Sequence, residues 1–244
     1  MDELTHDPDD RITRRGSLVK AGGFLAAVLA AGGWRVAASE SASGATTHAV
    51  GPAAVASGAV KCVLTPEQTE GPYYIPDEKI RRNITEGRRG VPLALHATVV
   101  DASTCKPIRN AAVDIWHCDA GGVYSGFGAG ASNRTFLRGR QRTNAKGLAV
   151  LKTIYPGWYQ GRTVHIHVKV HIGGNVVHTG QLYFPDTLTD KVYRRSPYKA
   201  RPGRTTRNSN DFVFANGGKN SMVSVRADGS GGYVAAITMG VVRS

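Results

Sequence analysis

The sequence predicts an all-β fold, a two-sheet β-sandwich whose long irregular loops carry the candidate site. Three observations predict it. Many short runs alternate apolar and polar residues with a period of two. Turn signals rich in Gly, Asn, Asp and Pro separate these runs at close spacing. No segment after residue 43 shows a helical period, and no internal repeat is present.

The amino-terminal stretch differs from the rest. Thr13-Arg14-Arg15-Gly16-Ser17-Leu18-Val19-Lys20 precedes the uncharged run Phe24-Leu25-Ala26-Ala27-Val28-Leu29-Ala30-Ala31, and small residues follow. Residues 1–43 therefore have the outline of a twin-arginine export signal, although Ser17 stands where a large apolar residue is usual. The apolar run is shorter than the about 20 residues that cross a bilayer. After processing no stable membrane span is expected, and the protein is placed outside the cytoplasm, secreted, periplasmic or at the cell surface. The alternative is an uncleaved anchor or a basic tail. Residues 44–60 are small and low in complexity and read as a flexible linker. Residues 61–244 are one domain of ordinary size.

Within that domain the elements follow in order. Residues 93–100 alternate as a strand, and a turn at 103–110 contains Pro107. Residues 111–117 form the next strand, with Val113 and Ile115 on one face and Asp114 and Trp116 on the other. A glycine-rich loop at 120–132 holds Tyr124 and Phe127. Residues 136–143 and 147–154 read as strands around the turn Asn144-Ala145-Lys146-Gly147. The strand at 163–171 follows, then a turn at Gly173-Gly174-Asn175 and a strand at 176–184. Residues 185–220 are polar and read as irregular, and two closing strands, 222–226 and 233–242, flank Asp228-Gly229.

The formal net charge is +13, and it stays strongly basic when residues 1–43 are set aside. Lys191, Arg194, Arg195, Lys199, Arg201, Arg204 and Arg207 crowd into one stretch. No nucleic-acid motif accompanies them, so a solvated loop, or attraction to anionic aromatics and cell-wall or lignin-like polymers, is the better reading. The three cysteines, Cys62, Cys105 and Cys118, form no CxxC pair, which leaves a cysteine-zinc site without support. One disulfide and one buried thiol suit an exported protein, and a pair that includes Cys62 is favoured because Cys105 precedes a turn and Cys118 ends the next strand, so that a hairpin register would place them far apart.

The stretch Thr163-Val164-His165-Ile166-His167-Val168-Lys169-Val170-His171 alternates strictly, as a half-buried strand does. His165 and His167 leave one face with Cα atoms about 6.5–7 Å apart, close enough to share a metal ion. The alternative is two solvent-facing histidines. Two tyrosines bear on the choice. Tyr159 sits on the turn Tyr155-Pro156-Gly157-Trp158-Tyr159 just before the histidines, and Tyr124 sits in the glycine-rich loop. A phenol titrates near pH 10, so a tyrosinate ligand needs a hard, trivalent cation such as Fe(III) to ionise it. Ordinary packing with a hydrogen-bonded hydroxyl is the alternative for both.

The order of residues resembles the intradiol ring-cleavage dioxygenases. The matching segments are Thr65-Pro66-Glu67-Gln68-Thr69-Glu70-Gly71-Pro72-Tyr73-Tyr74, Asp114-Ile115-Trp116-His117-Cys118-Asp119, Gly121-Gly122-Val123-Tyr124 and Thr153-Ile154-Tyr155-Pro156-Gly157-Trp158-Tyr159. Gly161-Arg162-Thr163-Val164-His165-Ile166-His167 completes them. The export signal and the lack of a helical dimerisation region look like a secreted, single-domain branch. The resemblance implies a non-haem Fe(III) held by Tyr124, Tyr159, His165 and His167. It implies that Arg162 stabilises negative charge on the substrate, that Gln181 orients a ligand, and that Gly71, Pro72 and Tyr73 line the substrate pocket. Tyr159 would also act as a base toward a chelating catechol, which O2 opens to a cis,cis-muconate. For Arg162, Gln181 and residues 71–73 the plain alternatives are a surface charge, an outward polar residue and a turn. Catechol, protocatechuate, hydroxyquinol and lignin-derived catechols share the diol, so the substrate stays open, as does the oligomeric state. Two rival functions follow from the fold and the histidines. One is a secreted carbohydrate- or protein-binding module. The other is a cupin-like copper or Fe(II) oxygenase, which needs a third ligand from among His117, His171 and His178.

Overall fold

A computed structural model describes residues 65–243 other than 77 and 129. Eight strands form two four-stranded sheets, as the alternating runs predict. They are β1 (Pro92–Asp101), β2 (Ala112–Trp116), β3 (Arg138–Arg142), β4 (Leu148–Ile154), β5 (His165–Ile172), β6 (Asn175–Tyr183), β7 (Ser224–Ala227) and β8 (Tyr233–Val241). One sheet has the order β4-β1-β8-β7 and the other β3-β2-β5-β6. All neighbours are antiparallel except β1 and β8, which run parallel.

The core lies between the sheets. Leu93, Leu95, Ala97 and Val99 of β1 meet Val113 and Ile115 of β2, Ile166, Val168 and Val170 of β5, and Ala235 and Met239 of β8. Each is almost fully buried, and burial of a side chain of this kind contributes about 1.5–3 kcal/mol.

Four features differ from the sequence reading. Strand β5 is not half-buried: His165, His167 and Lys169, on the face away from the core, are also covered. The cover comes from loops and from the segment at 65–74, whose Tyr74 ring lies 3.8 Å from Lys169 Nζ, and local alternation carries no sign of it. The strands on either side of the turn at 144–147 do not pair with each other, because β3 joins β2 and β4 joins β1, so the turn crosses between sheets. The turn itself is as expected, with the Asn144 side chain accepting from the Lys146 and Leu148 amides.

Residues 185–220 are less irregular than their composition suggests. Helix α1 (Asp186–Tyr193) buries only Thr189 and Val192, so two turns offer too few apolar positions for a period to show. Helix α2 (Phe212–Ala215) begins at Asp211, whose carboxylate accepts from the Val213 and Phe214 amides. The cations of this region are also partly used within the fold. Arg204 is paired with Asp186 and Asp190 at 2.6 and 2.8 Å, Arg207 with Asp190 at 3.0 Å, and the Arg201 guanidinium stacks on Trp158.

Cys105 is disulfide-bonded and Cys118 is a buried free thiol. Cys62, the expected partner, lies outside the described residues, as do the export signal and the linker.

Truncation of Ile166 to Ala, which is fully buried at the middle of this core, is expected to lower unfolding stability by about 2–5 kcal/mol. The shift of the denaturant midpoint at constant slope measures it.

Candidate metal centre

The start of β5 sets the geometry. His165 Nδ1 lies 2.6 Å from the Thr163 carbonyl oxygen, which has no proton to give, so Nδ1 is the donor and Nε2 keeps a free lone pair. That lone pair faces His167 Nε2 at 3.1 Å and the Tyr159 hydroxyl at 3.1 Å. Trp116, opposite His167 on neighbouring β2, stacks on the His167 ring with centroids 4.9 Å apart and planes 6° from parallel.

The two tyrosines arrive on loops pressed against each other. Gly157 lies so close to the other loop that a Cβ there would meet the Asp119 carbonyl at 2.2 Å. Asp119 folds its own loop by accepting from the Gly121 and Val123 amides. Tyr124 then lies edge-on to Tyr159, with centroids 5.7 Å apart, and to His167 at 6.1 Å. Tyr73 stacks on Tyr124 at 4.2 Å, and Gly71 lies against His167, where a Cβ would come within 3.2 Å of Cε1. Pro72 is exposed beside them. The structure thus gathers Tyr124, Tyr159, His165, His167, Gly71 and Tyr73 in one place.

A second layer holds Arg162. Its Nε donates to Asp211 at 2.9 Å and its Nη2 to the Gln181 amide oxygen at 2.5 Å. The Gln181 amide nitrogen donates to the Thr69 carbonyl, and the Tyr183 hydroxyl lies 3.0 Å from Gln68 Oε1 and 3.2 Å from Gln181 Oε1. Asp211, Gln68 and Tyr183 escape sequence reasoning. An Asp before Phe-Val-Phe is a helix-cap signal, but its partner forty-nine residues away leaves no local trace.

Charge at the centre follows burial. Burial, with Arg162 nearby, pushes His165 down to about 3, and burial and the neighbouring His165 push His167 well below the ordinary imidazole range. Both rings are neutral, the state that ligates metals. Burial raises Tyr159 to about 12, against the opposing pull of Arg162, and lifts Tyr124 well above the ordinary phenol range. Among the described residues neither the Tyr124 hydroxyl nor His167 Nδ1, both buried, has a hydrogen-bond partner. The three histidines weighed as a further ligand are engaged elsewhere. His117 bridges the Cys118 carbonyl and Thr153, His171 contacts Asp114, and His178 contacts Glu67. Among the described residues no three His, Cys, Asp or Glu side chains come together as a cupin-like site requires.

Fold and site define a β-sandwich protein with phenols and imidazoles converging on one point. A dioxygenase family profile, Dioxygenase_C, matches residues 69–202, more than half of the chain. The structure is similar to an intradiol ring-cleavage dioxygenase from Tetranychus urticae, with 37% identity, a TM-score of 0.71, and coverage of 74% of this chain and 95% of that one. It is also similar to the dioxygenase domain of a dioxygenase carbohydrate-binding protein fusion from Streptomyces sp. SirexAA-E, at 34% identity and a TM-score of 0.57, covering 74% and 99% of the two chains. Catechol 1,2-dioxygenase of Acinetobacter baylyi is 35% identical over 156 residues, which is 53% of this chain and 50% of that protein. Chlorocatechol 1,2-dioxygenase of Cupriavidus pinatubonensis is 29% identical over 148 residues, 50% and 56% of the two. The chain spans about half the length of these curated relatives. It belongs to the intradiol ring-cleavage dioxygenase family.

Two outcomes are expected from the geometry alone. Gly71 has φ +72°, so Gly71→Ala adds a left-handed alanine as well as a close contact with His167. It should cost about 1–2 kcal/mol in a thermal melt. Asp211 is a buried carboxylate, and burial alone would raise its pKa. The Phe214 and Thr163 amides and the Arg162 guanidinium outweigh that and hold it below the usual range. Its contribution is therefore present above the unfolded-state pKa, near 4, and is lost as pH falls through the lower folded value. Unfolding stability measured from pH 6 downward should fall less steeply in Asp211→Asn.

Proposed function

We propose that this chain is an exported, non-haem Fe(III) enzyme. In this reading it opens a catechol-type ring between the two hydroxyl-bearing carbons and places both atoms of O2 in a cis,cis-muconate-type product. The observation that carries the reading is the meeting of Tyr159 Oη, His165 Nε2 and His167 Nε2 at 3.1 Å spacings beside the unpartnered hydroxyl of Tyr124. These donors fit the metal. Two neutral imidazoles and two phenols in a buried site lack the positive charge that would make the phenols ionise, and a hard trivalent cation supplies it.

Tyr124, Tyr159, His165 and His167 would hold the iron. The bound ion supplies Lewis acidity, keeps the phenolates ionised and draws electron density from a chelating diol. The protein's own groups do the rest. Tyr159 Oη, the more exposed of the two phenols, takes a proton from the incoming diol. Arg162 offers positive charge to the substrate oxygens as they become anionic. Gln181 orients through Arg162, since its amide oxygen holds Nη2. Gly71, Pro72 and Tyr73 form the wall beside His167 and Tyr124 on which an aromatic ring would rest. No nucleic acid or membrane partner is invoked. The exposed part of the basic stretch at 191–207 suits contact with an anionic cell-wall or lignin-like polymer near the diol source.

Purified protein is expected to carry about one iron per chain and a red-brown tyrosinate-to-iron absorption, and to consume O2 with a substituted catechol. Tyr124→Phe and Tyr159→Phe should each weaken the colour and cut turnover by about 100-fold or more. Removing the metal with a chelator should abolish both, and ferric iron should restore them. A colourless, iron-free protein that ignores every catechol in the panel would overturn the reading in favour of a binding module.

A further inference from the structure

We infer that Asp211 is a positioning residue that sets the aim of Arg162 through a buried network of hydrogen bonds. This rests on the reading of Arg162 as the group that meets substrate charge.

The network joins four separate segments. Arg162, just before β5, donates from Nε to Asp211 Oδ2 and from Nη2 to Gln181 Oε1 on β6. Tyr183, also on β6, has one hydroxyl proton facing two acceptors, Gln68 Oε1 at 3.0 Å and Gln181 Oε1 at 3.2 Å, and so packs its oxygen between the two amides. Gln68 Nε2 donates to the carbonyls of Val213 and Asn216 at 2.9 and 3.2 Å. The Val213 amide donates to Asp211 Oδ1 at 2.8 Å, which ties the Gln68 segment to the carboxylate. The Asp211 carboxylate is fully buried, and it accepts two further bonds, from the Phe214 amide at 2.8 Å and the Thr163 amide at 2.6 Å.

Two consequences follow for Arg162. Two of its three nitrogens are committed, so the guanidinium plane is fixed and Nη1 is the nitrogen that Asp211 and Gln181 leave for a substrate. The same carboxylate that holds Nε also holds the backbone of Thr163, whose carbonyl fixes the His165 ring. Asp211 therefore registers the arginine against the imidazole, the relation that decides where developing negative charge meets positive charge.

Asp211→Asn separates this role from helix capping. An asparagine oxygen still accepts from the Val213 and Phe214 amides, since Asn caps helices as well as Asp. Its NH2 group would face the Arg162 and Thr163 donors, so that side of the residue loses its bonds. Turnover of catechol by the iron-loaded protein is then expected to fall about 10- to 100-fold, with KM changed far less and iron content unchanged. In Arg162→Gln, adding Asp211→Asn should cost no more than about threefold further, because the second change acts through a group already gone. A readout independent of turnover is the spectrum of bound 4-nitrocatechol, whose colour reports its ionisation. The dianion band seen with the parent should give way partly to the monoanion in Asp211→Asn. If Asp211→Asn fails to fold, Asp211→Glu, which keeps the charge but moves it, goes through the same cycle with Arg162→Gln.

An active parent with Asp211→Asn at parental turnover, or with losses that multiply on top of Arg162→Gln, overturns the positioning role and leaves the ring-cleavage reading standing. A parent inactive toward every catechol overturns both.

Discussion

Ile166, Val168 and Val170 hold the two sheets together, and side chains along a strand alternate between faces. The packing that fixes these residues therefore sends His165 and His167 to the other side of the same sheet, with no freedom to do otherwise. A slip of one residue in the pairing of β5 with β2 and β6 would put valines in the site and histidines in the core. Register here is set by hydrophobic burial, and the candidate metal centre inherits its accuracy from it. The stacked Trp116 on β2 then limits rotation of the His167 ring.

The other half of the site comes from loops, which need a different kind of fixing. The contact between Gly157 and the Asp119 backbone presses the two tyrosine-bearing loops together, with no side chain between them. Around this junction the interior is electrically lean. Both histidines are neutral and both phenols resist ionisation, all chiefly through burial. The Arg162 guanidinium beside them is paired with the buried Asp211 carboxylate at 2.9 Å. Such a pocket gives up little by accepting a highly charged cation, because each donor gains what burial denied it.

The legibility of this arrangement in the sequence was uneven, for physical reasons. The alternation in β5 displays both the strand and the shared face of His165 and His167, since both depend on neighbours in the chain. Tyr124, Tyr159 and residues 71–73 carry no local pattern that brings them to the histidines. They were legible through their resemblance to a family. Cover over β5 was invisible because it comes from residues such as Tyr74, almost a hundred positions away. Helix α1 was missed because two turns with two buried residues barely differ from a polar loop. Asp211, Gln68 and Tyr183 were silent for the same reason as the cover: a hydrogen bond between distant segments has no period.

Cys118 packs with Trp116 and Tyr124, its sulfur 3.4 Å from the Gly157 carbonyl, and burial first, then nearby Asp119, push its thiol up to about 12. A sulfur in that state yields almost no thiolate, the form that attacks disulfides and peroxides. An oxidant that reached it would find no nucleophile there. Exchange with the Cys105 disulfide is likewise starved of a thiolate from Cys118. The sandwich thus shields this sulfur by keeping it protonated and dry.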